Sequence, residues 1–153
     1  MKRTSILLAG LAAALALPAS AGAVPAPAAH ASRAARVQLR STRQGRILVD
    51  ASGFTLYRFT RDPRNRDTCM GITECASVWP PLRTTGRPTA GPGVNASLLS
   101  SISLGAGARQ VTYAGHPLYR YAAAGERGET AYIGAMSFGG TWLAVSAGGA
   151  FVR

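Results

Sequence analysis

The stretch GFTLYRF at residues 53–59 returns 62 residues later as GHPLYRY at residues 115–121. Glycine, leucine, tyrosine and arginine are identical in the two copies, and the last position is aromatic in both. Upstream of these stretches, Val49 aligns with Val111 at the same spacing. The matches predict two copies of one supersecondary unit that together form a single core.

Each copy is predicted to begin with a β-hairpin, because strand-forming residues flank a glycine-containing turn. The predicted strands, in chain order, are 46–49, 54–59, 79–82, 110–113, 117–121, 141–145 and 151–152. Between the copies, Asn95 is a typical N-cap for a short helical turn over residues 96–100. The chain is therefore predicted to be mainly β, as a small antiparallel sandwich or a partly open barrel built from two related β-hairpin units.

Six aromatic residues stand at positions related by the repeat. They are Tyr57, Phe59, Trp79, Tyr119, Tyr121 and Trp142, with the two tryptophans 63 residues apart. Aromatic rows of this kind are most often core packing, and we expect that for most of them. In the alternative, some of them line a groove between the halves. Arg58 and Arg120 would flank that groove and bind an anionic or sugar-like ligand, with Tyr57, Tyr119 and His116 beside them.

The N-terminus has the pattern of a signal peptide over residues 1–23. Lys2 and Arg3 precede an apolar stretch at residues 6–17, and small residues follow Pro18. Crossing a bilayer takes roughly 20 residues, so this stretch is too short to remain as an anchor. We therefore expect cleavage, no transmembrane segment afterwards, and a secreted, extracytoplasmic protein.

The rest of the chain divides into a lead-in and one domain. Residues 24–43 are rich in alanine, proline and arginine and are predicted to be a flexible lead-in. Residues 44–153 are predicted to form a single β domain made of two repeats, at about 44–90 and 106–153.

The charge balance is strongly basic, with 17 Lys and Arg residues against 6 Asp and Glu and a net charge of +11. Lys2 is the only lysine, so every basic side chain after the signal peptide is an arginine. A cationic exported protein is attracted to anionic cell-envelope polymers, and the arginine fork suits phosphate and carboxylate groups. No nucleic-acid-binding motif is present, so nucleic acid is not an expected partner.

The only two cysteines are Cys69 and Cys75. In an exported protein the default for such a pair is a disulfide. The alternative, a thiolate metal site, is disfavoured because two ligands without a nearby histidine make a poor site.

The residues from Tyr57 to Asp62 fit the pattern Y-x-[FWY]-x-x-D. Together with the two cysteines and the stretch WPPL at residues 79–82, the chain resembles the family of secreted and lipoprotein tandem repeats named after that motif. The second copy carries Tyr119 and Tyr121 of the motif but has Ala124 where the acid belongs, with Glu126 nearby. The resemblance implies an exported envelope protein with tandem repeats and no assigned activity. No cysteine stands directly after the apolar stretch at residues 6–17, so the lipid anchor of some members is not expected.

Candidate chemistry is sparse. Asp62, Asn65 and Asp67, with Glu74, could supply oxygens to a calcium ion, but arginines are interleaved with them and would repel a cation. We therefore expect these acids to cap the loop and pair with arginine, with no metal site. His116 has no evident partner to orient it as a general base and is more simply a turn residue.

No hydrolase elbow, phosphate loop, dinucleotide fingerprint or zinc signature is present. We therefore expect a protein that is not an enzyme and carries no cofactor. The leading hypothesis is an exported module that binds cell-envelope material or a small anionic ligand. The second hypothesis is a redox or cofactor-carrying accessory protein of the cell envelope.

Overall fold

The computed structural model describes residues 34–153, so the predicted signal peptide and the first part of the predicted lead-in lie outside the described residues. The strands are β1 (Arg36–Thr42), β2 (Gly45–Asp50), β3 (Tyr57–Phe59), β4 (Arg83–Thr84), β5 (Thr89–Ala90), β6 (Leu99–Gly105), β7 (Ala108–Tyr113), β8 (His116–Pro117), β9 (Ala135–Ser137), β10 (Gly140–Val145) and β11 (Phe151–Val152). One short helix, α1 (Cys75–Val78), and two 3₁₀ turns, Cys69–Gly71 and Ala96–Leu98, complete the fold.

The strands form three small sheets. Their orders are β2-β1-β5, β11-β10-β3 with β9 also on β10, and β4-β7-β6 with β8 also on β7. Every pairing is antiparallel except that of β1 with β5. The mainly β prediction with antiparallel sheets is confirmed, and within residues 34–153 no sheet closes into a barrel.

The repeat begins earlier than the sequence indicated. β1 and β2 form a hairpin joined by a tight turn, as do β6 and β7. β1 lies inside the predicted lead-in, so that boundary at residue 43 is wrong. Its backbone pairs with β2 from Val37 to Thr42, and Val37 is fully buried. Arg36 and Arg40 stand on either side of its two apolar residues, which gave the stretch the composition of a linker.

The alignment of the hairpins also changes by one residue. In the first copy Leu56 N–H donates to the carbonyl of Leu48, and in the second Leu118 N–H donates to that of Val111. Leu48 is therefore the counterpart of Val111, and the predicted match with Val49 is wrong. The reason is the turn: the first one contains one residue more than the second.

Three predicted strands are not continuous in the structure. The strand predicted at 117–121 is reduced to β8, followed by an isolated bridge at Tyr119. β3 starts at Tyr57 because the chain leaves β2 there and pairs with β10 instead. The stretch predicted as a strand at 79–82 instead follows α1, where Trp79 N–H still donates to Cys75 and two prolines come next. The strands predicted at 141–145 and 151–152 are confirmed in β10 and β11.

The helical turn between the copies is also present. Asn95 accepts a hydrogen bond from Ser97 N–H at 3.0 Å and so caps the turn Ala96–Leu98, which is shorter than predicted. The core then divides into two clusters. One is mainly aliphatic and lies around Leu48, Val111 and Leu118, and the other is aromatic.

Candidate ligand-binding cleft

The two copies meet at the motif tyrosines. Tyr57 N–H donates to the Tyr119 carbonyl at 2.9 Å, and Tyr119 N–H donates to the Tyr57 carbonyl at 3.0 Å. A reciprocal pair between equivalent residues is what an approximate two-fold axis through this point produces. The motif tyrosines of the two predicted copies therefore lie opposite each other in an antiparallel bridge.

The aromatic residues follow the same symmetry and form the core. Trp79 and Trp142 stack with their centroids 4.2 Å apart and their planes 5° from parallel. Phe59 stacks on the outer face of Trp142, and Tyr121 packs on the outer face of Trp79. Both indole N–H groups donate to the Ser137 hydroxyl. Four of the six aromatic residues identified in the sequence therefore pack against one another in a single row.

Tyr57 and Tyr119 complete this cluster from the edges. Each makes an edge-on contact with the tryptophan of its own copy at 5.1 Å. Both are at most 1% exposed. Neither of these two rings is therefore open to a ligand in the described part of the chain.

The motif acid joins the two copies. Asp62 Oδ2 accepts a hydrogen bond from the Tyr119 hydroxyl at 2.6 Å, and Oδ1 accepts from the Thr68 N–H and hydroxyl. Burial, and then the Asp62 charge, raise the pKa of the Tyr119 phenol far above its usual value. The carboxylate therefore fixes the loop after β3 and satisfies a tyrosine of the other copy.

The second copy lacks this arrangement. Ala124 has no oxygen to offer, and the Tyr57 hydroxyl donates to the Glu129 backbone carbonyl at 3.4 Å instead. Thr55 donates its hydroxyl to the same carbonyl at 2.6 Å. The loss of the second acid is thus compensated by backbone, and the chain around Ala124 follows a different path.

The loop after β3 is a closed structural unit. The predicted disulfide between Cys69 and Cys75 is present, and both sulfurs lie in the aromatic cluster. Asp67 Oδ1 accepts from Met70 N–H, and burial raises the pKa of the Asp67 carboxyl. In residues 34–153 no group of three or more acidic, histidine or cysteine side chains could hold a metal ion.

His116 lies in β8, directly after the turn that joins β7 to it. Burial, and then the charges of Arg58 and Arg64, lower the pKa of its imidazole. This position beside a turn agrees with the interpretation of His116 as a turn residue. His116 lines neither of the two cavities described below.

The two motif arginines differ sharply. Arg58 is 7% exposed, donates to the Gly149 carbonyl at 2.6 Å and lies 4.3 Å from the centre of the Phe151 ring. The chain around β11 therefore seals it. A ligand-binding role for Arg58, expected from the sequence, would require this segment to move away.

Arg120 remains open. Its side chain is 43% exposed and pairs with Asp50 Oδ2 at 3.3 Å. Asp50 is held in place by its other oxygen, which accepts from the N–H groups of Ser52 and Phe54. Within the described residues the Nε of Arg120 is buried and has no hydrogen-bond partner. The guanidinium is thus positioned by a fixed carboxylate while its side chain stays partly exposed.

A cavity of about 390 Å³, which we call the arginine cavity, lies at this pair. Arg36 from β1 and Arg83 from β4 line it together with Arg120 and Asp50. Pro80 and Pro81 supply apolar lining. Three cations against one carboxylate leave the cavity with a net positive charge, which suits an anion.

A second cavity of about 280 Å³, the apolar cavity, adjoins it and shares Arg120 and Pro80. The rest of its lining is Phe54, Tyr121, Ala122 and Ala124. Arg120 N–H donates to the Pro80 carbonyl at 3.0 Å, so the shared wall is tied together by backbone.

The sequence indicated Arg120 but missed Asp50, Arg36 and Arg83. Asp50 lies at the end of β2, Arg36 in β1 and Arg83 in β4. Only the tertiary fold brings these three residues together. One signal was available: Asp50 opens a turn, where an aspartate commonly accepts backbone hydrogen bonds and is therefore held in place.

Comparison with known proteins finds a family match within the first part of the described chain. A family described as a secreted repeat of unknown function matches residues 39–83. No curated protein and no solved structure shows a significant match to the chain. Among the described residues, no helix has the length and apolar character needed to cross a membrane.

The match begins within β1 and ends at Arg83, so it covers the first hairpin, the motif and the disulfide loop. The match to a family of secreted repeats and the formed disulfide both indicate an extracytoplasmic protein. Over residues 39–83 the chain is therefore similar to the family described as a secreted repeat of unknown function.

Proposed function

We propose that the protein is a non-catalytic exported module that binds a small anionic ligand in the arginine cavity. The observation that carries this proposal is the contrast between the motif arginines. The repeat gives both the same position, yet Arg58 is sealed by Gly149 and Phe151 while Arg120 stands in a cavity.

The electrostatics of the cavity support an anion. Arg36, Arg83 and Arg120 converge on a space that contains one carboxylate, Asp50, already engaged by Arg120. A phosphate or carboxylate would complete the neutralisation. The fixed position of Asp50 limits the ordering that Arg120 must undergo on binding.

The ligand's anionic group can be free in solution or carried on a cell-envelope polymer, since the cavity would recognise the same chemistry in both. The net charge of +11 favours attraction to anionic polymers in general. A cavity, however, adds a defined site to that general attraction. Salt dependence and site variants therefore distinguish the two contributions.

The test is calorimetric titration with inorganic phosphate at fixed ionic strength, comparing the protein with Arg120→Gln and Arg83→Gln. Losing a charge-assisted hydrogen bond is worth about 1.5 kcal/mol or more, so each variant should bind phosphate about tenfold more weakly. Arg43→Gln is the matched control, because it removes the same charge at the β1–β2 turn. At about 3.3 Å per residue, that turn is roughly 20 Å along β1 from Arg36.

Unchanged phosphate affinity in both cavity variants would overturn the proposal. Equal losses in the cavity variants and in Arg43→Gln would replace it with general cationic attraction. Co-sedimentation with cell-wall sacculi across a salt series then asks whether the same variants lose binding to the polymer-borne anion.

A further inference from the structure

We infer that the ligand is an anion bearing an apolar or planar group, with the charge in the arginine cavity and that group in the apolar cavity. This inference rests on the proposed function and goes one step beyond it. The two cavities share Arg120 and Pro80 and are therefore adjacent, so a ligand whose charge is held by Arg120 would place a neighbouring group beside the apolar lining. Together they reach the volume of a typical small-molecule site.

The apolar cavity exists because the two copies differ. In the first copy, Asp62 holds its loop through Thr68 and receives the Tyr119 hydroxyl. At the equivalent position the methyl group of Ala124 can accept no hydrogen bond, and Ala124 lines the apolar cavity. The substitution that removes the motif acid therefore also removes a charge from the wall of the site, leaving methyl and ring surface beside Arg120.

The walls of this space are fixed by backbone contacts. Arg120 N–H bonds to the Pro80 carbonyl at 3.0 Å, and Ala122 N–H bonds to the Val78 carbonyl at 2.9 Å. The Tyr121 ring contacts those of Trp79 and Tyr132, with centroids 4.9 Å and 3.8 Å away, so its position is set by these neighbours. A preformed apolar wall next to an arginine suits a ligand with both characters.

The experiment compares phenyl phosphate with inorganic phosphate, because the two share the charged group and differ by the ring. Burying the ring should make phenyl phosphate bind about tenfold more tightly. In Ala122→Leu the new side chain fills the cavity, so the phenyl gain should be lost while phosphate affinity stays the same. Ala123→Leu is the matched control, since Ala123 is an exposed neighbour that does not line the cavity.

A second readout does not depend on any variant. Aromatic ring currents from phenyl phosphate should shift the methyl resonances of Ala122 and Ala124, whereas inorganic phosphate should shift them little. Equal affinity for the two probes, or a phenyl gain that survives Ala122→Leu, would overturn the inference and leave the phosphate site intact. Failure of both probes to bind would instead overturn the proposed function.

Discussion

Arg58 and Arg120 occupy one position in two copies of a repeat, and the fold buries the first while leaving the second in a cavity. The Arg58 guanidinium donates to the Gly149 carbonyl at 2.6 Å, whereas that of Arg120 pairs with Asp50 at 3.3 Å and is 43% exposed. The two copies of the unit thus bury one arginine and leave the other partly exposed.

Replacing the two arginines should therefore have opposite consequences. Arg58→Ala leaves a buried carbonyl unpaired and removes the contact with Phe151, so we expect a loss of about 2–3 kcal/mol in the free energy of unfolding. Arg120→Ala removes a half-exposed ion pair and should cost less than about 1 kcal/mol. Urea denaturation of both variants measures the difference, and equal losses would contradict the assignment of roles.

The stacked tryptophans should each be essential to stability. Trp79 and Trp142 are at most 1% exposed and contact each other face to face. Truncation of a buried tryptophan to alanine costs about 3–5 kcal/mol. We expect that loss for Trp79→Ala and for Trp142→Ala in denaturant melts. Met136→Ala is the control, because Met136 is 84% exposed and should change the free energy by less than about 0.5 kcal/mol.

The motif acid should matter through its hydrogen bonds. Asp62→Ala leaves the Thr68 donors and the Tyr119 hydroxyl without their acceptor, which should cost about 2–4 kcal/mol. Adding Tyr119→Phe removes one of the orphaned donors, so the double variant should lose less than the sum of the two single losses. Strict additivity in this cycle would show that the pair is not coupled. Glu126→Ala, an exposed acid of the second copy, is the control and should be nearly neutral.

Asp67 should lower the free energy of unfolding as the pH rises. Burial raises its folded pKa above the ordinary value of 3.8, so the folded protein holds this proton more tightly than the unfolded chain. The favourable contribution is complete below about pH 3.8 and is lost as the pH rises through the folded pKa. Asp67→Asn keeps an acceptor for Met70 N–H but does not ionise.

Relative to the native protein, this variant should therefore gain stability between about pH 3.8 and pH 7. Unfolding free energies measured at both ends of this range test the prediction. The neighbouring charge of Asp62 acts in the same direction on Asp67. A stability difference that does not change with pH would remove Asp67 from the account.

Local features of this fold were predictable from the sequence because local chemistry sets them. The GFTLYRF and GHPLYRY stretches located both hairpin turns, the Asn95 side chain located a helical cap, and the two cysteines located a disulfide. The spacing of Trp79 and Trp142 correctly paired two residues that stack across the approximate two-fold axis.

The cleft was only partly predictable, because it depends on contacts between distant segments. Arg36 was hidden in a composition typical of a linker, and its strand is recognisable only from its pairing with β2. Nothing in the repeated YR dipeptide distinguishes Arg58 from Arg120. The difference arises from where the chain around Gly149 and Phe151 packs, and a pattern of short range carries no information on that.

The most direct test of the binding site is a phosphate titration followed residue by residue in heteronuclear NMR spectra at constant ionic strength. Our account predicts saturable shifts concentrated at the amides of residues 35–36, 50–52, 82–83 and 120, which line the arginine cavity. Shifts spread evenly over the arginine-bearing surfaces, or centred on a different face such as β6, would contradict it.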